Sequence, residues 1–222
     1  MPSVKIPKKS TDVDMTPFVD VAFLILTFFI MATKFKPPEA AEITTPNSVS
    51  TELLPDNDAI LVSVDSAGRV FFEMLVQASP QLKYDVISNM NTTRNLGLTQ
   101  EEMTKFKNKV PAVGMPIAQL KSYLSMNEEE MKRAKMPGIP VNDSLGGELY
   151  FWIRDAISVM AGKKTNYLIK GDNNTKYPIF DQVLNAFKKN DIYKFNLVTT
   201  PEGVPANTDR DRLNKAILSQ RK

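Results

Sequence analysis

The residue with the clearest chemical potential is Asp20, because it lies inside the long apolar run from Met15 to Thr33. No other ionisable side chain occurs in that run, and Lys34 follows it directly. At 1.5 Å of rise per residue, a helix of about 19 residues covers roughly 28 Å, close to the thickness of a membrane's hydrocarbon layer. An ionised aspartate at that depth costs on the order of 3 kcal/mol. The pattern therefore predicts a membrane-spanning helix whose carboxylate has a function.

Asp20 shares one face of the predicted helix with two hydroxyl side chains, those of Thr16 and Thr27. Thr16 is predicted to cap the helix, and Pro17 to occupy the first turn, where its missing N–H is harmless. A polar stripe of this kind belongs against protein or water rather than lipid, which favours a functional carboxylate. The alternative is an aspartate near the helix start that only reaches the interface and complements the helix dipole.

The composition excludes most catalytic chemistry. The 222 residues contain no Cys and no His, so disulfides, thiolate nucleophiles, imidazole bases and imidazole metal ligands are all excluded. The net charge of +3 is small and gives no argument for nucleic-acid binding. We therefore predict a protein that is not an enzyme, that uses no cofactor or metal ion, and that binds no nucleic acid.

Changes in composition divide the chain into five predicted regions. The N-terminal side of the apolar run is short, which favours a cytoplasmic N-terminus and export of the remainder. The regions are a cytoplasmic segment (1–14), the transmembrane helix (15–33), a flexible exported linker (34–58), an exported domain (59–200) and a flexible tail (201–222).

The exported domain is predicted to be an α+β fold, a small sheet with helices on one face in the order β-β-insert-α-β-α-β. A hairpin is predicted over residues 60–73, followed by a mostly helical insertion at about 75–145 with helix starts at Thr99 and Asn127. Amphipathic helices over 148–161 and 177–190 alternate with strands over 166–170 and 192–199. Trp152 lies at core spacing on the first of these helices.

Two groups of acidic residues could be read either as metal sites or as ordinary structural features. Asp172, beside Asn173 and Asn174, has oxygen atoms that suit Ca²⁺, but a turn whose side chains bond their own backbone is the preferred interpretation. The run Glu128 to Glu130 could be an acidic metal or partner site, but the preferred interpretation is a charged first turn that complements a helix dipole.

The run from Asp14 to Val21, DMTPFVDV, resembles the signature of the ExbD/TolR family, which reads N-V-T-P-hydrophobic-V/I-D-V. Thr16, Pro17, Asp20 and Val21 match it, whereas Asp14 stands where asparagine is usual. The stretch 168–172, with the closing strand, also looks like the family's periplasmic domain. The resemblance covers about residues 10–75 and 146–200, and the insertion at 75–145 has no counterpart in short family members.

The resemblance implies a subunit of an inner-membrane motor driven by the proton-motive force, in which protons are the coupling ion and Asp20 carries them. It implies three partners: a pentameric ExbB-like membrane protein, a second copy of the chain and a TonB-like protein that serves outer-membrane transport. Support of the polar stripe is expected from Asp14, Thr16, Pro17 and Thr27. Partner binding is expected from Tyr167, Leu168, Ile169, Lys170, Gly171, Asp172 and Tyr177.

Two alternative functions stay open. One is a TolR-like or gliding-type motor subunit, which has the same chemistry and a different cargo. The other is a passive, signal-anchored periplasmic binding protein in which Asp20 only caps the helix at the interface.

Overall fold

The computed structural model describes residues 14–32, 41–49, 54–55, 57–142, 147–202, 208–209 and 212. The chain divides into two compact units, residues 1–37 and 38–222. Most of the predicted cytoplasmic segment and of the predicted tail lie outside the described residues.

The first unit contains helix α1, Thr16–Ala32. The carbonyl oxygen of Met15 accepts the first helical hydrogen bonds, from the N–H groups of Phe18 and Val19 at 3.1 Å. The cap comes from Asp14, whose Oδ1 accepts the Thr16 N–H at 3.0 Å and the Thr16 hydroxyl at 2.5 Å. The prediction that Thr16 caps the helix is therefore wrong, because Thr16 is itself the first helical residue and Asp14 is the acceptor.

The second unit is built on a five-stranded mixed sheet with the order β4-β3-β2-β5-β6. The pairs β2–β3 and β3–β4 are antiparallel, whereas β2–β5 and β5–β6 are parallel. This confirms a mixed α+β fold and the predicted hairpin, in which Val62 pairs with Phe72. The strands are β2 (Ala59–Val64), β3 (Val70–Leu75), β4 (Ala112–Val113), β5 (Asn166–Gly171) and β6 (Asn196–Leu197).

The second unit contains six helices among the described residues, and four of them, α2 to α5, lie within the region 75–145 that was predicted to be mostly helical. Thr99 and Asn127 each begin a helix with a reciprocal capping box, in which the side chain accepts the N–H of a glutamate three residues on. The helices are α2 (Gln81–Arg94), α3 (Gln100–Lys109), α4 (Ile117–Ser125), α5 (Glu128–Arg133), α6 (Gly147–Val159) and α7 (Tyr177–Lys188).

The core lies between the sheet and the helices, and the insertion is part of it. Trp152 of α6 has no exposed surface. Its ring stacks on Phe106 of α3, with centroids 6.0 Å apart, and lies 5.7 Å from the ring of Phe72 on β3. The insertion thus shares one hydrophobic core with the sheet instead of forming a separate module.

The predicted strand over 192–199 is wrong in its extent, because only Asn196–Leu197 joins the sheet, beside β5. The N–H of Ile192 bonds the carbonyl of Phe187, and Asp191 has a positive φ of 60°. These residues close the end of α7, so the buried side chain of Ile192 belongs to the helix end rather than to a strand.

A second, two-stranded sheet pairs a segment near the start of the second unit with a segment that follows the five-stranded sheet. Strand β1, Asn47–Ser48, runs parallel to β7, Thr200–Pro201. The N–H of Thr200 donates to the carbonyl of Pro46, and that of Glu202 donates to the carbonyl of Ser48. Part of the region predicted as a linker is therefore paired with the C-terminal end of the domain.

Candidate functional site

The candidate site is the polar stripe of α1, with Asp20 one turn after the helix start. The Asp20 carboxylate is exposed and forms no hydrogen bond or ion pair with any residue that the structure describes. Helix α1 carries no other ionisable group. A carboxylate in this setting is free to bind a proton or a donor supplied by another molecule.

The two hydroxyl groups of the stripe are already used as donors. The Thr16 hydroxyl donates to Asp14, and the Thr27 hydroxyl donates to the carbonyl of Leu24 at 2.9 Å. A hydroxyl has one donor and two acceptor positions, so both retain acceptor capacity towards a neighbour. Pro17 lies in the first turn, as predicted.

The apolar side chains of α1 are exposed, and Thr27 alone in this helix is half-buried. None of the helices in the described part of the chain combines the length and the apolar character needed to cross a membrane.

The residues predicted to bind partners lie on β5 and just after it. Leu168 and Ile169 are buried, and their strand lies between β2 and β6. Tyr177 is 71% exposed at the start of α7. Tyr167, Lys170 and Gly171 are half-buried. Their roles in partner binding stay predictions, and among them Tyr177 has the surface that direct contact requires.

Asp172 lies where the interior strand β5 meets the chain that enters the domain. Its Oδ1 accepts the Asn174 N–H at 2.9 Å, which confirms the predicted turn. Its Oδ2 accepts the Thr44 N–H at 2.8 Å, and the Asn173 N–H donates to the Thr44 carbonyl at 2.9 Å. Residues 44–48, which we call the entry strap, are therefore fastened at Asp172 and again at β7. Sequence reasoning missed this contact, because Thr44 and Asp172 are far apart in the chain and no periodic pattern links them.

We expect the Asp172→Ala substitution to detach the entry strap at Thr44, because it removes the acceptor of the Thr44 N–H. The measurement is the rate at which a glutamate-specific protease cleaves after Glu42, which should rise several-fold because cleavage requires local release of the backbone. The matched control is Asp209→Ala, which removes an exposed aspartate elsewhere and should leave the rate unchanged. An unchanged rate in Asp172→Ala would contradict the role of this carboxylate.

The same contact has an acid limit. The hydrogen bonds from the backbone N–H groups of Asn174 and then of Thr44 lower the pKa of Asp172 from its ordinary value of 3.8. A lowered folded-state pKa means that the stabilisation is present above the ordinary value and is lost as the pH falls through the lowered one. The amide resonance of Thr44 should therefore keep its position at neutral pH and move only below about pH 4.

The part of the chain that the structure describes contains no group of three or more acidic side chains arranged to hold a metal ion. Glu128 instead pairs with Lys109 at 3.0 Å, and this contact lowers the pKa of Glu128.

Comparison with known proteins gives one match. A family model described as biopolymer transport protein ExbD/TolR matches residues 7–202, a range that includes α1, the sheet and the insertion. No match was found among curated proteins or among solved structures. Members of this family are associated with the inner membrane and work there in complexes with partner proteins. Since the matched range takes in most of its residues, the chain belongs to the ExbD/TolR family of biopolymer transport proteins.

Proposed function

We propose that the chain is an ExbD-like subunit of an inner-membrane motor that uses the proton-motive force to energise outer-membrane transport. The observation that carries this proposal is the state of Asp20. It is the only ionisable side chain of α1, it is exposed without a partner among the described residues, and it matches the family's proton-carrying aspartate. An ionisable group on so apolar a helix is typical of ion pathways.

The proposed location of α1 is the pore of a pentameric ExbB-like membrane protein, with the N-terminus in the cytoplasm and the second unit in the periplasm. Two observations support it. The apolar side chains of α1 are uncovered, and the apolar run of the sequence, 15–33, exceeds the helix by one residue at each end. A helix of this composition requires lipid or the apolar wall of a partner around it.

The proposed working step is proton exchange at the Asp20 carboxylate. A proton from the periplasmic side binds one carboxylate oxygen, and the neutral acid can then face an apolar wall at low cost. On the cytoplasmic side the proton leaves, and the resulting anion requires hydrogen-bond donors. Because the two states favour different surroundings, each proton that passes shifts α1 within the pore.

The partner wall supplies those donors in this scheme. The hydroxyl groups of Thr16 and Thr27 already donate to Asp14 and to the carbonyl of Leu24, so neither has a spare donor for the Asp20 anion. The free energy released by one proton is comparable to the cost of exposing the anion to the membrane, since one proton crossing 100 mV releases about 2.3 kcal/mol. The cost of placing the ionised aspartate in the membrane is on the order of 3 kcal/mol.

In the same proposal the second unit transmits the motion to a TonB-like protein, and a second copy of the chain completes the subunit pair. Of the residues expected to bind partners, Tyr177 is the exposed one and is the proposed point of contact. The coupling ion is the proton, and the scheme uses no metal and no organic cofactor.

The absence of cysteine makes the topology directly testable, because every introduced cysteine is unique. We expect Ser66→Cys, in the exposed β2–β3 turn, to react with a membrane-impermeant maleimide in intact spheroplasts. Ser3→Cys, which is near the N-terminus, should react only after the membrane is opened. Equal reaction of both positions in intact spheroplasts, or of neither, would contradict the proposed orientation.

Association is tested on the same cells. We expect the tagged chain, extracted in a mild detergent, to co-purify with a multi-span ExbB-like protein in a ratio that allows one pore per pair of chains. Recovery of the chain without any multi-span protein, from membranes that contain one, would contradict the motor proposal. Co-purification of a TonB-like protein would assign the cargo to import rather than to a TolR-like or gliding role.

A further inference from the structure

The insertion brings one arginine onto an aromatic side chain of the common fold. Arg94 ends α2, and its guanidinium carbon lies 3.3 Å from the centre of the Phe151 ring on α6. This is well inside the distance of about 6 Å at which a cation is attracted by a ring face. The stacking fixes the guanidinium in one orientation before any ligand arrives.

Arg94 has no acceptor for its hydrogen-bond donors. A guanidinium carries five N–H groups, and none of those of Arg94 donates to a residue in the described ranges. Its Nε is buried as well as unpartnered. The buried Nε is closed to an external acceptor, but Arg94 as a whole is only half-buried, so an acceptor from outside would bind the Nη groups at the end of the side chain.

The charges around Arg94 do not supply that acceptor. Asp155 is held by Arg154, with Oδ1 at 2.8 Å from Nη2 and 2.9 Å from Nε, while its Oδ2 is buried without a hydrogen bond. Glu148 is held by the backbone, since its Oε2 accepts the Ile117 N–H at 2.6 Å. Burial, and next the positive charge of Arg154, lower the pKa of Arg94, while Asp155 and Glu148 act in the opposite direction.

Arg154 adds a second cation to the same ring. Its guanidinium carbon lies 5.4 Å from the centre of Phe151, and its side chain remains 39% exposed. Phe151 in turn makes an edge contact with Tyr150, with the ring centres 5.1 Å apart, and both aromatic residues are half-buried. Two arginines and two aromatic rings thus form one continuous surface on α2 and α6.

We propose that Arg94, Phe151 and Arg154, which we call the arginine surface, bind the side-chain carboxylate of an acidic segment of a partner polypeptide. The guanidinium fork matches a carboxylate with two parallel hydrogen bonds, a geometry that a simple point charge does not select. The exposed parts of Phe151 and Tyr150 offer apolar contact to the residues that flank the acid. Arginine and aromatic side chains together are typical of the residues that carry most of the energy of protein interfaces.

This surface gives the insertion a function of its own. Arg94 comes from the region 75–145, whereas Phe151 and Arg154 come from the helix that follows it. Without the insertion, the ring and Arg154 would remain and the acceptor-free guanidinium would be missing. Binding of an acidic segment at the arginine surface does not depend on proton transfer at Asp20, because it requires no membrane potential.

The test uses the full-length chain in detergent at about 0.15 M ionic strength, where contacts between distant exposed charges are screened. The probe is a short, terminally blocked fluorescent peptide that alternates glutamate with alanine, and the readout is its anisotropy. We expect saturable binding that Arg94→Gln weakens at least about tenfold, the loss typical of removing one charge-assisted contact. The matched control, Lys132→Gln, removes an equal charge from an exposed position of the insertion and should change the affinity by less than about twofold.

Two further arms decide the chemistry. The same peptide with glutamine in place of glutamate should not bind, and Arg94→Lys should bind more weakly than the unchanged chain, because lysine keeps the charge and loses the fork. Folding of each variant is checked by the emission of Trp152, the single tryptophan. If Arg94→Gln does not fold, Arg94→Lys decides the question. Equal binding of the glutamine peptide would overturn the proposal. Unchanged affinity for the glutamate peptide in every Arg94 variant that folds would also overturn it.

Discussion

Under the proposed function, replacing Asp20 by asparagine is expected to abolish proton-driven transport, while the variant is still found in the membrane and still co-purifies with the proposed pore partner. The amide has nearly the same size and still forms hydrogen bonds, but it cannot take up and release a proton at physiological pH. Energised uptake in cells that carry only the variant should fall to the level of cells without the protein. Membrane content and co-purification of the partner should be unchanged.

The matched control is Asp14→Asn. It makes the same chemical change at the helix cap, where the asparagine side chain can still accept the Thr16 N–H. Uptake should therefore remain close to normal. Asp20→Glu keeps an ionisable group with one more methylene and should retain partial activity. Full uptake by Asp20→Asn, with normal insertion and association, would contradict the motor proposal and favour the passive, signal-anchored binding protein.

Replacing Trp152 by alanine is expected to lower the free energy of unfolding by about 4 kcal/mol, the usual range for a large aromatic residue in a core. Trp152 has no exposed surface and contacts both Phe106 of the insertion and Phe72 of the sheet. The loss is a large part of the roughly 5–15 kcal/mol that stabilises a typical domain. Urea denaturation followed by far-UV circular dichroism measures it without relying on tryptophan emission.

Trp152→Phe separates packing from hydrogen bonding. The indole N–H has no hydrogen-bond partner among the described residues, so removing it costs no bond and relieves an unsatisfied donor. We expect a loss of less than about 1.5 kcal/mol, since an aromatic ring still fills the space between Phe106 and Phe72. A loss below about 1 kcal/mol in Trp152→Ala would mean that the insertion and the sheet do not share this core.

The features that the sequence predicted well have strong local signals. The hairpin β2–β3 follows from two short apolar runs, one on each side of the turn at Gly68. The helices α3 and α5 follow from Thr99 and Asn127, whose caps operate through residues three positions away. Asp20 stood out for a related reason, because a single carboxylate in an apolar run is visible without any tertiary information, and its role stays a prediction.

The features that the sequence missed depend on contacts between distant positions. The entry strap joins Thr44 to Asp172, and the stack of Arg94 on Phe151 joins two helices that are separated by the rest of the insertion. No periodic pattern encodes such pairs. The length of the closing strand was overestimated for the opposite reason. Ile192 is a β-branched residue of the kind that strands favour, but the turn that ends α7 buries it in the core.

The lengths of the outer strands have a consequence for aggregation. At the two edges of the sheet, β4 and β6 have two residues each, whereas the three inner strands have six. Pro111, directly before β4, lacks an N–H and adds no donor to that edge. Unpaired backbone groups on a long edge strand are the template on which copies of a protein join into fibrils, and very short edges offer little template. The two-residue edge strands of this sheet therefore give neighbouring copies of the chain little backbone to pair with, sheet to sheet.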